Sequence, residues 1–523
     1  MAKPLNLLPH VARWNIEAKA EDMGKLFYEF PAFRKVKNGD YIFVKGRKGS
    51  GKTAILQYIR SMRSFDHFSK SITLDRSPIE FFQDVGVTGD LPLSAYVLIW
   101  RYVIYSAVVD LFTENERVKA EIGRELDDWF PASPEKQLAQ VLGRSPGNKI
   151  SVGIGDNVLT PGLSFSTEKK FDSADINSLA RTVELLGRFI YENCDDSKYY
   201  VMFDGLDAEL TDATRSGKSY EKQQTIIRGL IKSCFDERLS FRRSGLNVIP
   251  LVFIRTDMFD DLRDSDSEKW EDFVCDLKWR KDQIHNMLSH RICHSAHEAI
   301  EDKGFRASWK RIVFDRPVEI ENKRSNEIFR IKPIDYIHKR TFSRPRDFIR
   351  YIQIVAKVTD EYDQGYTRIA PKTFVQSEDL YSRRFRKEIV DEMHSVLKDV
   401  DGYLDAFGKI HKIRYFSFHQ IQRAFAEEGN FDRDLFEKIG LENILKFLFE
   451  YSVVGNIDKR KDVESQTPFY YRTFKYNFPT SVINYREKFT LHSGLFRSIY
   501  ESKSRNSLAL ADKANTIDLT EKL

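Results

Sequence analysis

Four cysteines in 523 residues are few, and Cys194, Cys234, Cys275 and Cys293 show no metal-ligand spacing. A disulfide scaffold is excluded, and a reducing, cytoplasmic setting is expected. The chain also lacks an unbroken apolar run of about 18 residues, the length a bilayer demands. Its longest candidate, Leu93 to Phe112, is interrupted by Arg101 and Asp110, so no membrane span is expected. Met1 to Pro9 lacks the order of a secretory leader. No internal repeat of solenoid length is present. Neither sign of charge dominates: 83 Lys and Arg face 78 Asp and Glu, a net charge of +5. That balance leaves any nucleic-acid contact to a local patch. With 41% hydrophobic and 31% charged residues, the composition is that of an ordinary globular chain with room for two to four domains.

What is present centres on one stretch. Tyr41-Ile42-Phe43-Val44-Lys45 is short, apolar and β-prone. It runs into Gly46-Arg47-Lys48-Gly49-Ser50-Gly51-Lys52-Thr53, and a helix-prone segment follows from Ala54. This is the G-x-x-x-x-G-K-T pattern of a phosphate-binding loop, in its strand–loop–helix setting. The glycines let backbone N–H groups close in on phosphate oxygens. The helix start adds the positive end of its dipole. Lys52 is expected on the β- and γ-phosphates of a nucleotide, and the Thr53 hydroxyl on Mg²⁺. No Asn-Lys-x-Asp guanine reader stands at a strand end, so ATP is the expected nucleotide.

Two further buried strands end in charge. Tyr199-Tyr200-Val201-Met202-Phe203 leads straight into Asp204-Gly205-Leu206-Asp207. A strand of this kind delivers Asp204 to the edge where Mg²⁺ sits, and Asp207 is the candidate to orient or deprotonate the attacking water. Asn247 to Ile254 ends in Arg255-Thr256-Asp257. Arg255 there reads as a sensor of the γ-phosphate, or as half of a surface Arg–Asp pair at the strand end. Later, Ser343-Arg344-Pro345-Arg346-Asp347 opens a helix running through Val355, with Ser343 as N-cap. Two arginines at a helix start oppose its dipole. Asp347 or ATP would supply the missing anion, and Arg344 and Arg346 read as a lid sensor. Trp14 reads as core packing or as a cover for the base, and Arg291 as an exposed helical arginine or a finger acting in trans. The basic run Tyr381 to Lys387 reads as a solvated helix face.

The expected organisation is an ATPase core over 1–330 with an inserted segment at about 113–175. A helical lid is expected over 331–405, a winged-helix-like domain over 406–502 and a polar tail over 503–523. In the third of these, amphipathic helices at Ser417–Ala426 and Leu441–Phe449 precede a two-stranded wing, with Lys459-Arg460-Lys461 at its tip.

Taken together, the loop Gly46–Thr53, the Asp204-Gly205-Leu206-Asp207 signature, the Arg255 strand end, the Arg344 helix start and the C-terminal pattern resemble the STAND branch of P-loop ATPases, related to AAA+ proteins. The resemblance is closest to the bacterial FunZ-type group and covers about residues 20–500. It implies an α/β fold with a central parallel sheet, Walker A and Walker B on neighbouring strands, a helical lid and a winged helix. It further implies a slow ATP-dependent switch, in some relatives within antiviral defence, working as a homo-oligomer or with a partner effector protein. One departure is Ala208 after Asp207, with the acid one place later at Glu209, which implies slow turnover with Asp207 or Glu209 as base. Two other readings share the same site. One is a DNA-binding ATPase whose wing, with Arg472 and Lys475 nearby, grips phosphates. The other is a structural subunit that binds nucleotide without turnover.

Overall fold

The computed structural model describes residues 6–62, 64–74, 78–84, 90–129, 173–206, 218–295, 304–322, 327–362, 365–394, 396–410, 415–426, 431–461 and 468–500. The inserted segment between 130 and 172, Asp207 and the tail over 503–523 lie outside these residues. The chain forms two compact units. One is Glu17–Lys278; the other joins Met1–Ile16 to Trp279–Leu523. The division thus falls at 278, where the sequence suggested about 330, and it assigns the first 16 residues to the C-terminal unit.

The first unit is built on a parallel five-stranded sheet. Its strands are β1 (Phe43–Lys45), β2 (His67–Thr73), β3 (Lys198–Asp204), β4 (Val248–Ile254) and β5 (Val274–Asp276), in the spatial order β2-β3-β4-β1-β5. The order corrects one expectation. The strands carrying the phosphate loop and Asp204 are not neighbours, because β4 lies between them. Tyr199 to Phe203 and Val248 to Ile254 are all buried, as strands covered on both faces must be. Pro250 sits inside the central strand β4, where a missing donor is normally costly. Val252 donates to Ile42 across the β1 side at 2.8 Å. Two residues earlier, Pro250 turns its nitrogen the same way, before β1 begins, so no ladder bond is lost.

The helix Leu93–Glu114 is long and apolar enough by composition to cross a bilayer, yet 72% of its apolar window is buried within the fold. Trp100 is fully buried and donates to the Ile226 carbonyl at 3.0 Å. This helix meets Lys218–Arg243 closely at Gly229, where an added Cβ would stand 2.8 Å from the Tyr96 Cβ. Arg101 and Tyr105 share Glu237 across the same interface, at 2.6 and 2.5 Å.

In the second unit, helices Lys281–Ser295, Pro345–Tyr362 and Glu378–Met393 lead to Val400–Phe407, Phe418–Ala426, Arg433–Ile439 and Leu441–Glu450. An antiparallel sheet follows, with strands β8 (Val454–Lys461), β9 (Pro468–Thr473) and β10 (Lys488–Leu491) in the order β10-β8-β9. The expected two-stranded wing is therefore three-stranded, and Lys459-Arg460-Lys461 lies within β8. A hairpin of β6 (Val318–Asn322) and β7 (Glu327–Ile331) occupies a region with no readable pattern. Trp14 is core: its indole donates to the Ser295 hydroxyl at 2.9 Å and stacks beneath Arg291, 5.0 Å away. Arg291 is buried there and donates to the Asn15 carbonyl. In the basic run, Tyr381 and Phe385 are buried, Arg383, Arg384 and Lys387 are exposed, and Arg386 pairs with Asp401 and Asp405 at 2.7 and 2.8 Å.

Candidate phosphate site

The loop Gly46–Thr53 leaves β1 at the carboxyl ends of the parallel strands. Gly46 N–H donates to the Ile254 carbonyl at 3.2 Å, which fixes the loop's entry against β4. Ser50 N–H donates to Arg47 O, and Ile55 N–H to Gly51 O, so a tight turn passes directly into the helix Lys52–Ser61. Gly49 and Gly51 have φ of 81° and 105°, a left-handed backbone that other residues adopt only under strain. A Cβ on Gly46 would collide with the Ser50 hydroxyl. The N-cap is Gly51, which has no side chain to engage the first N–H groups of the helix at the concave side of the loop. Lys52 folds over this turn, its ammonium donating to Gly46 O at 2.8 Å and Arg47 O at 3.4 Å. Ser50 is buried, Arg47 is half-buried and Lys48 is exposed. A ring of backbone donors with a lysine across it is an anion cradle.

Asp204 arrives from β3. The Thr53 hydroxyl donates to its carboxylate at 3.4 Å, across 151 positions of sequence. Asp204 O accepts from Leu74 N–H at 2.9 Å, and Gly205 turns away with φ of 81°. A Cβ on Gly205 would strike the Leu74 carbonyl, so only glycine allows β3 to end this close to β2. A hydroxyl and a carboxylate brought together at the cradle are two hard oxygen donors, the set Mg²⁺ takes beside a phosphate. The residues fit both groups: Gly46 to Lys52 a polyphosphate, and Thr53 with Asp204 the metal.

Arg255 follows β4, between the other two strands. In register it stands beside Gly46 on the β1 side, while on the other side the pairing with β3 ends at Phe203 and Val252. It is 9% exposed, and Asp257 grips it with both carboxylate oxygens, at 3.0 Å from Nε and 2.8 Å from Nη2. The sequence offered a surface Arg–Asp pair as the alternative; the pair forms, with the arginine buried and Asp257 partly exposed. Lys45, the last residue of β1, reaches Asp260 at 3.1 Å and Glu271 at 3.5 Å. Burial depresses its pKa, but Asp260, Glu271 and Asp276 outweigh that and hold it above the ordinary lysine value.

Arg344 and Arg346 belong to the second unit. Arg344 is 5% exposed and donates to Asp347 at 3.1 Å and Glu392 at 3.1 Å. Burial alone would lower its pKa, and these carboxylates raise it instead. Asp347 also accepts from Phe342 N–H at 2.9 Å, bracing the start of the helix Pro345–Tyr362. The anion that the sequence demanded is therefore present as Asp347, and Glu392 is a second one that no local spacing announced. Ser343 has φ of 55° and precedes the cap position, which Arg344 occupies. Arg346 is half-buried, on the same helix end as Arg344, and its charge acts on Glu388.

Residues 282–390 match the model of a family described as the FunZ-associated C-terminal helical domain. No curated protein matches the chain. Among solved structures, the chain is similar to the Drosophila ORC bound to DNA, at 10% identity over 94% of this chain and 90% of that one. It is also similar to Cdc6p from Pyrobaculum aerophilum, at 11% identity over 90% and 89%. The TM-score is 0.30 in both cases, and neither likeness adds to the sheet order and loop geometry.

Proposed function

We propose that the chain binds ATP with Mg²⁺ at Gly46–Thr53, hydrolyses it slowly, and uses the bound state as a switch that changes its assembly or its partner. The observation that carries this reading is the meeting of Thr53 and Asp204 beside a glycine cradle already crossed by Lys52. The contacts of Lys52 with two loop carbonyls support its role, since they hold the ammonium at the cradle and are exchanged for phosphate oxygens on binding. Thr53 and Asp204 would hold Mg²⁺, which supplies charge neutralisation between the phosphates. Asp207 is assigned the orientation of water, three residues past Asp204.

Gripping DNA is the competing use of the C-terminal helices and sheet. Helices Arg433–Ile439 and Leu441–Glu450 expose Asp434, Glu437, Glu442 and Glu450 against Lys438 and Lys446. A face with that balance repels a phosphate backbone. Arg460 is paired with Asp458 at 3.2 Å and Lys475 with Glu450 at 3.3 Å, while Arg472 donates to the Tyr415 hydroxyl. These contacts favour a protein partner or a second copy over DNA. The family resemblance suggests bacterial antiviral defence as the setting.

The test is phosphate release by the parent chain and Lys52→Ala, with and without double-stranded DNA, together with solution mass. We expect slow release indifferent to DNA, a change in mass with ATP, and a drop of about 10²-fold or more in the variant. Release that rises steeply with DNA would move the assignment to a DNA-coupled ATPase. ATP binding without release, with partners present, would leave a nucleotide-loaded structural subunit.

A further inference from the structure

We propose that Asp257 is a fixed counter-anion that competes with the nucleotide's terminal phosphate for Arg255, and so sets how strongly the site prefers a triphosphate. This rests on the ATP reading above and specifies how that site is regulated.

The strand register brings Arg255 to the phosphate edge. Lys45 aligns with Ile254 and Phe203 with Val252, so Arg255 emerges between the start of the loop and the turn after Asp204. Any group that reaches past the loop toward the Asp204 turn meets the tip of β4. The arginine standing there is already bound through the Nε and Nη2 edge of its fork, the geometry a phosphate or carboxylate prefers.

The two partners differ in freedom. Asp257 has a short side chain on the helical turn Thr256–Asp260. That turn is tied down at several points. Lys45 bonds Asp260 at 3.1 Å and lies 5.1 Å over the Phe259 ring. Phe259 packs 5.9 Å from Phe43 of β1, and Phe259 N–H donates back to Arg255 O at 3.0 Å. The carboxylate therefore stays where it is. Arg255 has a long, rotatable side chain and is the partner that moves. A triphosphate must draw the guanidinium out of a two-bond contact while a fixed negative charge remains close by.

Two effects follow. The Arg255–Asp257 pair offers the phosphate edge almost no net positive charge, so the empty site attracts nucleotide less than its arginine alone would. The penalty falls on the group that extends to the tip of β4, and hence on ATP more than ADP. Asparagine at 257 keeps the shape and one acceptor but removes the charge.

The experiment is calorimetric titration of Mg·ATP and Mg·ADP into the full chain. The parent is compared with Asp257→Asn, Arg255→Ala, the double variant and Lys52→Ala, and thermal melts check folding. We expect Asp257→Asn to tighten ATP by roughly tenfold and ADP by much less. Arg255→Ala should weaken ATP, and the double variant should show none of the gain. Asp257→Ser, which also removes the charge, should repeat the effect and stands in if the asparagine form does not fold. Unchanged ATP affinity in Asp257→Asn overturns the proposal. So does weakening like that of Arg255→Ala, which would make Asp257 a residue that presents the arginine. A gain that survives in the double variant also overturns it, since the effect would then bypass Arg255. If ATP binds the parent no better than Lys52→Ala, the ATP reading fails and the proposal falls with it. If the parent binds and Lys52→Ala does not, only the role of Asp257 is at stake.

Discussion

Thr53 is the residue on which the metal assignment turns, because its hydroxyl reaches the Asp204 carboxylate. Valine is close to threonine in shape and lacks the hydroxyl. Thr53→Val should leave the melting temperature within about 2 °C and reduce phosphate release by about 10²-fold. A variant with normal release would remove Thr53 from the metal site. The phosphate loop was legible because four fixed residues at set spacing within eight positions agree with both flanks. Asp204 was legible because five apolar residues lead to it. The hold of Asp257 on Arg255 was legible only as an alternative. Two residues apart at a strand end, an arginine and an aspartate either meet or diverge, and side-chain torsions decide which.

Between elements, buried charge carries the second unit. Glu378, at the start of the helix Glu378–Met393, accepts from Arg340 at 2.7 Å and from the Tyr336 hydroxyl at 2.5 Å. Arg340 and Glu378 are both almost wholly buried. Glu378→Ala would leave the Arg340 cation without its carboxylate in a dry site. We expect a loss of roughly 3–5 kcal/mol, read from denaturant unfolding of the full chain. A loss under about 1 kcal/mol would show that water enters the cluster.

Acid acts on a second buried cluster of this unit. His338 is buried beside His285, Lys281 and Asp335, and burial, then Lys281 and His285, push its pKa down to about 4. His285 is shifted the same way. The folded pKa lies below the unfolded value, so the unfolded chain takes the proton first as pH falls. Stability contributed by neutral His338 is complete above about pH 6.5 and declines toward pH 4, by up to roughly 3 kcal/mol. His338→Phe should flatten that limb of the stability profile, and an unchanged slope would place the proton elsewhere. Neither cluster was readable. Glu378 and Arg340 are 38 positions apart, and His338 lies in a stretch with no clear periodicity. The three residues of β5 also pass below any pattern, whereas β1, equally short, was marked by the loop that follows it, and the strands β3 and β4 were plain. The order of the strands is a tertiary fact, so the wrong neighbour was assigned to the Asp204 strand.

At the scale of the whole molecule, the chain divides discontinuously. Leu8, Val11 and Trp14 are buried in the C-terminal unit, against the helices Lys281–Ser295 and Pro345–Tyr362. Removing residues 1–16 should therefore weaken that unit by roughly 5–9 kcal/mol, counting about 1.5–3 kcal/mol for each of these three side chains. Hydrogen exchange should rise in those two helices and stay unchanged in β1 to β5. Exchange that rises in the sheet instead would return these residues to the first unit.

The same threading has a consequence during synthesis. The helix Leu8–Ala12 leaves the ribosome well before Trp279 and the helices it packs on. At roughly 5–20 residues per second, its apolar face waits about 13–50 s for a partner, while the whole of Glu17–Lys278 emerges and folds. A segment made early is thus buried late, and it is where a nascent chain would most need a chaperone.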